Sequence, residues 1–200
     1  MSSTYKTDQS FFTYVKPPSN YIGIKELVKW FNAASTSKYR LIVDQELDEE
    51  FATLEKVENF YPGIKTFAVA INPWARPVVT YADLKRIEHP LSKYAQGSFD
   101  DFIRSMEQAI EETPNSYFAL PQMSWFEYKD SDNAVKSVTH IFKAESLESD
   151  FKILQDFFET TRGLEWVTEI PEYKDLYTTE TKKIISKYFQ EDIDRFAYSF

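Results

Sequence analysis

Residues 65–81 read KTFAVAINPWARPVVTY, an apolar run, Phe67 to Ile71, that stops at Asn72-Pro73 and restarts as a helix-compatible segment. An apolar run without polar alternation is the pattern of a strand covered on both faces, as parallel strands of α/β sheets are. Pro73 has no N–H to give to a ladder, and Asn-Pro initiates turns. Beyond the turn, Pro77, Thr80, Tyr81, Leu84 and Ile87 fall on one helical face. Open α/β sheets hold their ligands just outside the carboxyl ends of such strands, so the residues of this junction are the first candidates for a site.

The same alternation runs outward in both directions. FFTYV (Phe11 to Val15) reads as a buried strand, Ile24, Leu27, Val28 and Phe31 as a helix stripe, RLIVD (Arg40 to Asp44) as a strand and EEFATLEKVENF as a helix. On the other side Ser98 can cap a helix that carries Phe99, Phe102, Ile103, Met106 and Ile110. SVTHIFK (Ser137 to Lys143) then reads as one strand, ESLESDFKILQDFF as a helix, and TKKIISKYFQEDIDRF as a single closing helix with Ile185, Tyr188, Phe189, Ile193 and Phe196 on its docking face. Strands that are each followed by a helix predict the α/β class, with a mostly parallel sheet flanked by helices on both faces.

Composition narrows the function classes. A net charge of −9 opposes nucleic-acid binding, which draws its affinity from Lys and Arg on phosphates. The absence of cysteine excludes disulfides, thiolate zinc sites and a cysteine nucleophile. His89 and His140 stand far apart with no ligand spacing, so no metal site is expected. The opening MSSTYKTDQS lacks the apolar core of a signal peptide, and no run approaches the length of a spanning helix. The expectation is a soluble, intracellular protein without a membrane span. With few glycines, no repeat and no linker, a single domain over residues 1–200 is expected, residues 1–10 being a flexible or peripheral N-terminus.

The order of FATLEKV, FYPGIKTFAVAINPWARPVVTY, SFDDFI, LPQ, IFKAESLESDF and YKDLYTTETKKIISKYFQEDIDRFAYSF resembles the membrane-type carbohydrate sulfotransferases. That family transfers a sulfuryl group from PAPS (3′-phosphoadenosine 5′-phosphosulfate) to a sugar hydroxyl. The resemblance extends from about Phe11 to Phe200 and implies a P-loop-type α/β domain.

Four positions depart from the family pattern. The family follows its first strand with a Pro-Lys-Thr-Gly-Gly-Thr-Ser loop whose N–H groups and Lys hold the 5′-phosphosulfate; here the loop is KPPSNYIG, with Pro17 at the Lys and Ser19 and Asn20 at the glycines. Phe51 stands where the family often carries a histidine base, and its ring cannot accept a proton. In the family's Val-Arg-Asn-Pro pattern the Arg and a following Ser grip the 3′-phosphate of the donor; here those two positions are Ile71 and Val79, while Asn72, Pro73, Trp74, Arg76 and Tyr81 fit. A slip of one residue would bring in Thr80 but misplace Tyr81.

Other residues are weighed beside these. Lys16, Ser19, Asn20, Arg76 and Thr80 are the vestigial or relocated donor ligands on offer. Lys16 also fits a solvated strand end, and Arg76 an ion pair. Asp44, Glu46, Asp48, Glu49 and Glu50 suit a helix N-terminus better than a cation site. Glu145 fits the family's Arg-Phe-Glu-Asn-Leu pattern while Lys143 stands at the preceding Arg, and a structural role is expected for the pair. Gln122 and Trp125, in PQMSWFEY, are acceptor-side candidates or an aromatic packing loop.

The resulting expectation is a sulfotransferase-fold protein whose donor-binding and catalytic positions are lost: a non-catalytic binding or assembly protein with an unknown protein partner and no cofactor. The alternative is an active PAPS-dependent sulfotransferase with relocated ligands and a carbohydrate acceptor. The first is favoured, since a transferring sulfuryl group needs oriented donors and positive charge. Phe51, Ile71 and Val79 are further expected to pack together where the donor nucleotide would lie.

Overall fold

The structure, a computed structural model, describes residues 10–14, 30, 39–41, 53–86, 88, 90–112, 120–157, 161–163 and 170–200. The expected helix over Ile24 to Phe31 lies outside the described residues, except that Trp30 is buried edge-on to Phe151 with its indole N–H donated to Arg162 O. The acidic cluster Asp44 to Glu50 also lies outside them.

Four strands form one parallel sheet. They are β1 (Ser10–Tyr14), β2 (Tyr39–Leu41), β3 (Lys65–Ala70) and a fourth, His140–Lys143, in the order β2, β1, β3, fourth strand. The register pairs Phe11 with Arg40, Thr13 with Thr66, and Ala68 with Ile141. β3 thus has a neighbour on each side, and every residue from Thr66 to Ala70 is buried, as its unbroken apolar run predicts. The α/β class read from the sequence is the class observed.

Each face of β3 has its own cover. Ala68 and Ala70 pack with Leu54 and Val57 of helix α1 (Leu54–Phe60), which Thr53 caps by accepting the Lys56 N–H at 3.1 Å. Phe67 and Val69 point the other way by strand alternation and are equally buried. Past the strand end a second core collects α2 (Arg76–Leu84), a 3₁₀ turn (Pro90–Ala95), α3 (Phe99–Arg104) and α4 (Met106–Glu112). Ser98 caps α3 as expected, in a reciprocal capping box with Asp101.

Two expectations are refined. The run SVTHIFK is not one strand: Ser137 ends one strand and the next begins at His140. After the short helix α5 (Met123–Phe126), β4 (Glu127–Lys129) pairs antiparallel with β5 (Val135–Ser137), and only then does the chain enter the parallel sheet as β6 (His140–Lys143). The crossing is fixed at Val138, whose N–H donates to Phe126 O, and at Thr139, which exchanges hydrogen bonds with Thr66. Next comes α6 (Leu147–Phe157), with Leu147 and Phe151 buried.

The closing helix is likewise broken, into α7 (Thr179–Tyr188) and α8 (Gln190–Phe196), at Phe189, whose φ is −116°. The break has a packing cause. Ile185 and Phe189 belong to the helical core beyond the strand ends, whereas Phe196 belongs to the core under β3, and one straight helix would not serve both.

Phe189 is fully buried, and truncating a buried Phe costs about 3–5 kcal/mol. Phe189→Ala is expected to lower the melting temperature by roughly 2–4 °C for each kcal/mol lost; an unchanged melting curve would mean that α7 and α8 do not dock. At the other end of α8, Ala197 adopts the left-handed conformation (φ 51°, ψ 42°) that glycine occupies without a Cβ penalty. Ala197→Gly is expected to raise the urea midpoint, by about 0.5–1 kcal/mol of stability, as relief of left-handed strain outweighs the added freedom of the unfolded chain.

Candidate functional site

The end of β3 is built around a turn that closes on itself. The Asn72 carboxamide oxygen accepts the Trp74 N–H at 2.9 Å, and the Asn72 carbonyl accepts the N–H groups of Ala75 and Arg76 at 2.9 and 3.0 Å. Pro77 supplies no N–H. The first donors of α2 are therefore spent within the turn, the Arg76 N–H on Asn72 O and those of Val78 and Val79 on Ala75 O, the groups through which a helix N-terminus otherwise holds an anion. The Asn72 N–H goes to Glu145 Oε1 at 2.6 Å, just past the end of β6.

Ile71, one residue before the turn, is 1% exposed. Its N–H donates to Gln122 Oε1 at 2.9 Å and its carbonyl accepts from Gln122 Nε2 at 2.8 Å. Gln122 itself is held by Asp192 of α8. Asp192 Oδ2 accepts the Gln122 backbone N–H at 2.8 Å and Nε2 at 3.4 Å, and Oδ1 accepts the Met123 N–H at 3.0 Å. Asp192 is 0% exposed, and burial pushes its carboxyl above the usual range, with the charge of Arg76 and these hydrogen bonds acting the other way.

Arg76 is 2% exposed. Its Nη1 donates to Leu120 O at 2.8 Å and its guanidinium carbon stands 5.2 Å from the centre of the Phe189 ring. A cavity of about 10 Å³ is lined by Arg76, Pro77, Thr80, Phe102, Met106 and Phe189. That is about the space one water needs. Lys143 and Lys182 also stand around the turn. Lys143 Nζ donates to Phe196 O at 2.5 Å and lies over the Tyr198 ring, and Lys182 Nζ lies 3.8 Å from the centre of the Phe200 ring.

The candidate residues thus fall into three groups. Ile71, Arg76 and Gln122 converge at the end of β3. Thr80 and Val79 lie on α2, Thr80 buried with its hydroxyl donated to Arg76 O at 3.1 Å and Val79 half-buried, while Trp125 is packed in the core under β3. Lys16, Pro17, Ser19, Asn20 and Phe51 lie outside the described residues, so the packing of Phe51 on Ile71 and Val79 is not described. His140 is half-buried and held below the usual histidine range, first by burial and then by the charge of Lys65. Among the described residues no group of three or more His, Asp or Glu is placed to hold a metal ion, and no helix is long and apolar enough to cross a membrane.

Asp192 was not among the sequence candidates, although its signal was present. Phe189, Asp192, Ile193 and Phe196 stand at i, i+3, i+4 and i+7, which sets a carboxylate inside an apolar stripe. Tyr198 and Phe200 are also new: the Tyr198 hydroxyl donates to Glu145 Oε2 at 3.0 Å, and the Phe200 ring meets Trp74 edge-on at 5.6 Å.

No family model matches the chain, and no curated protein matches it in sequence. Among solved structures it is similar to mouse sulfotransferase SULT7A1 complexed with PAP, with a TM-score of 0.56, 12% sequence identity, and coverage of 94% of this chain and 84% of that one. The chain has a sulfotransferase-like α/β fold.

Because the folded Asp192 carboxyl titrates above its ordinary value of 3.8, the folded state holds this proton more tightly than the unfolded one. Its contribution to stability is fully present below the ordinary value and is lost as pH rises through the folded one. Asp192→Asn must turn an amide NH₂ toward a backbone N–H, at a cost of about 1–3 kcal/mol. Urea unfolding of both proteins is expected to show the parent's advantage growing as pH falls from neutral toward 4. An advantage that shrinks over that range would mean that the folded pKa is depressed.

Proposed function

We propose that this chain is a non-catalytic binding or assembly protein on a sulfotransferase-like fold, with the donor-binding and catalytic positions given over to packing. One observation carries the reading. Ile71 stands where the resemblance expects the arginine for the donor's 3′-phosphate, and it is buried with both backbone polar groups taken by Gln122. The neighbouring cation, Arg76, is turned inward to Leu120 O and the charge of Asp192. Sulfuryl transfer draws on preorganised donors and positive charge at the migrating group, and the turn offers its donors to Asn72 instead.

A second reading keeps the chemistry: a PAPS-dependent sulfotransferase acting on a sugar hydroxyl, with Lys16, Ser19, Asn20, Arg76 and Thr80 as relocated donor ligands and Gln122 and Trp125 toward the acceptor. The likeness to a sulfotransferase solved with PAP, over most of both chains, is what favours it.

Calorimetric titration with PAP separates the two. No saturable heat is expected at millimolar ligand; a micromolar dissociation constant would overturn the non-catalytic reading. Ile71→Arg is expected to melt below the parent by several kcal/mol of lost stability, because it buries a charge without an assured partner, and PAP should not restore it. A variant that melts with the parent and is stabilised by PAP would show an open, polar donor site.

A further inference from the structure

Residues 198–200 lie across the β3–α2 turn as a bound peptide would. α8 ends on Ala197, and the Tyr198 N–H returns to Ile193 O at 3.0 Å, so the chain reverses toward the turn. Three recognition elements then act in succession. Glu145 accepts the Tyr198 hydroxyl at 3.0 Å, the Asn72 carboxamide donates to Ser199 O at 3.3 Å, and the Phe200 ring enters an aromatic socket. The socket's rings are edge-on to it, Trp74 at 5.6 Å and Tyr173 and Tyr177 at 5.8 Å each, with Lys182 Nζ over its face at 3.8 Å.

The floor of this socket is held independently of the segment. The Tyr177 hydroxyl donates to Trp74 O at 2.8 Å, Phe99 stacks edge-on against Tyr177 at 5.2 Å, and the Trp74 indole N–H points to Lys182 O at 3.5 Å. The segment is held more lightly. Ala197 and Ser199 are exposed, and Tyr198 and Phe200 are only half-buried. The hinge is an alanine in a left-handed conformation, which persists only while surrounding contacts enforce it. A rigid socket, a light occupant and a strained hinge are the parts of a strap that can leave.

We propose that Tyr198–Phe200 is an intramolecular occupant of a peptide-binding socket, displaced by a partner segment that offers an aromatic, a small residue and a second aromatic in succession. The occupant's own chemistry sets the partner's: a phenol for the Glu145 carboxylate, a backbone carbonyl for Asn72, and a ring for Trp74, Tyr173 and Tyr177. The inference rests on the reading of this chain as a binding protein and names the class of its partner. The socket lies at the strand-end position where open α/β sheets take their ligands.

The test uses a dye-labelled peptide of sequence FAYSF, read by fluorescence anisotropy against the parent and Phe200→Ala. The variant, with the ring socket vacated, is expected to bind the peptide saturably and at least about tenfold more tightly than the parent, whose socket is occupied for most of the time. The peptide FAYSA should lose that gain. A cooperatively folded Phe200→Ala that binds no tighter than the parent overturns the proposal.

If Phe200→Ala does not fold, amide exchange on the parent decides. The Tyr198 N–H is expected to exchange at least about tenfold faster than the Ile193 N–H, whose partner is Phe189 O within the helix pair, because the strap opens without unfolding α8. Equal protection of the two overturns the proposal. PAP titration of the parent is read separately: PAP binding removes the non-catalytic reading without touching the socket, and absent peptide binding removes the socket without touching the donor site.

Discussion

The side-chain amide of Gln122 takes both backbone groups of Ile71, and much of the strand-end architecture follows from that. Ile71 continues β3 past the last residue paired with β6, so its N–H and C=O would enter the core without a ladder partner. A buried backbone group left unmade costs about 1–3 kcal/mol. Gln122 supplies a donor and an acceptor in place of a neighbouring strand, and only one assignment of its amide serves: Nε2 must face Ile71 O and Asp192, and Oε1 the Ile71 N–H. Fixing Gln122 then requires Asp192, and Asp192 at 0% exposure is tolerable because two backbone N–H groups and the charge of Arg76 offset part of its desolvation. Residues just before α5, on α8 and on α2 are thereby tied to one point on the sheet.

The residues of the turn itself have structural tasks. Asn72 closes the turn, Pro73 and Pro77 end one element and start the next, and Trp74 packs the helical core; these tasks concern backbone and volume and are indifferent to whether an anion binds. Ile71 can be apolar because its side chain adds to the core while its backbone is served by Gln122. Arg76 keeps its charge but spends it inside the fold.

Much of the fold was legible because it is written in local patterns. The run from Phe67 to Ile71 gave a strand buried on both faces, Asn72-Pro73 its end, Ser98 a helix start, and the three- and four-residue spacing from Pro77 to Leu84 a face that is mostly buried. What was not legible depends on two cores competing for one segment. Nothing local in YFQED marks the break at Phe189, whose geometry (φ −116°, ψ 28°) lets Ile185 and Phe196 reach different cores. The switch at Val138 and Thr139 is set by Phe126 O and Thr66, both remote in sequence. In the candidate site, Ile71 and Arg76 were singled out from one stretch and Gln122 from another, and they do come together at the end of β3. Asp192, which joins them, was hidden by reading the closing helix for its apolar residues alone.

The strap sharpens the contrast between what is locked and what is movable at this end of the sheet. Every link in the chain from Ile71 through Gln122 to Asp192 is buried, so breaking one strands a polar group in the core, and the elements it joins move together or not at all. The contacts of Tyr198, Ser199 and Phe200 are of another kind. Glu145 and Ser199 are exposed, and water can replace the hydroxyl and carbonyl bonds that the strap would give up. The Phe200 ring, and the Tyr198 ring that meets Phe196 edge-on at 5.9 Å, carry an apolar cost of exposure, and rings from elsewhere can repay it in the same places. A rigid strand end beside an exchangeable aromatic strap is a division of labour suited to binding: the part that must not move is dry and polar-satisfied, and the part that can move is wet and held by ring contacts.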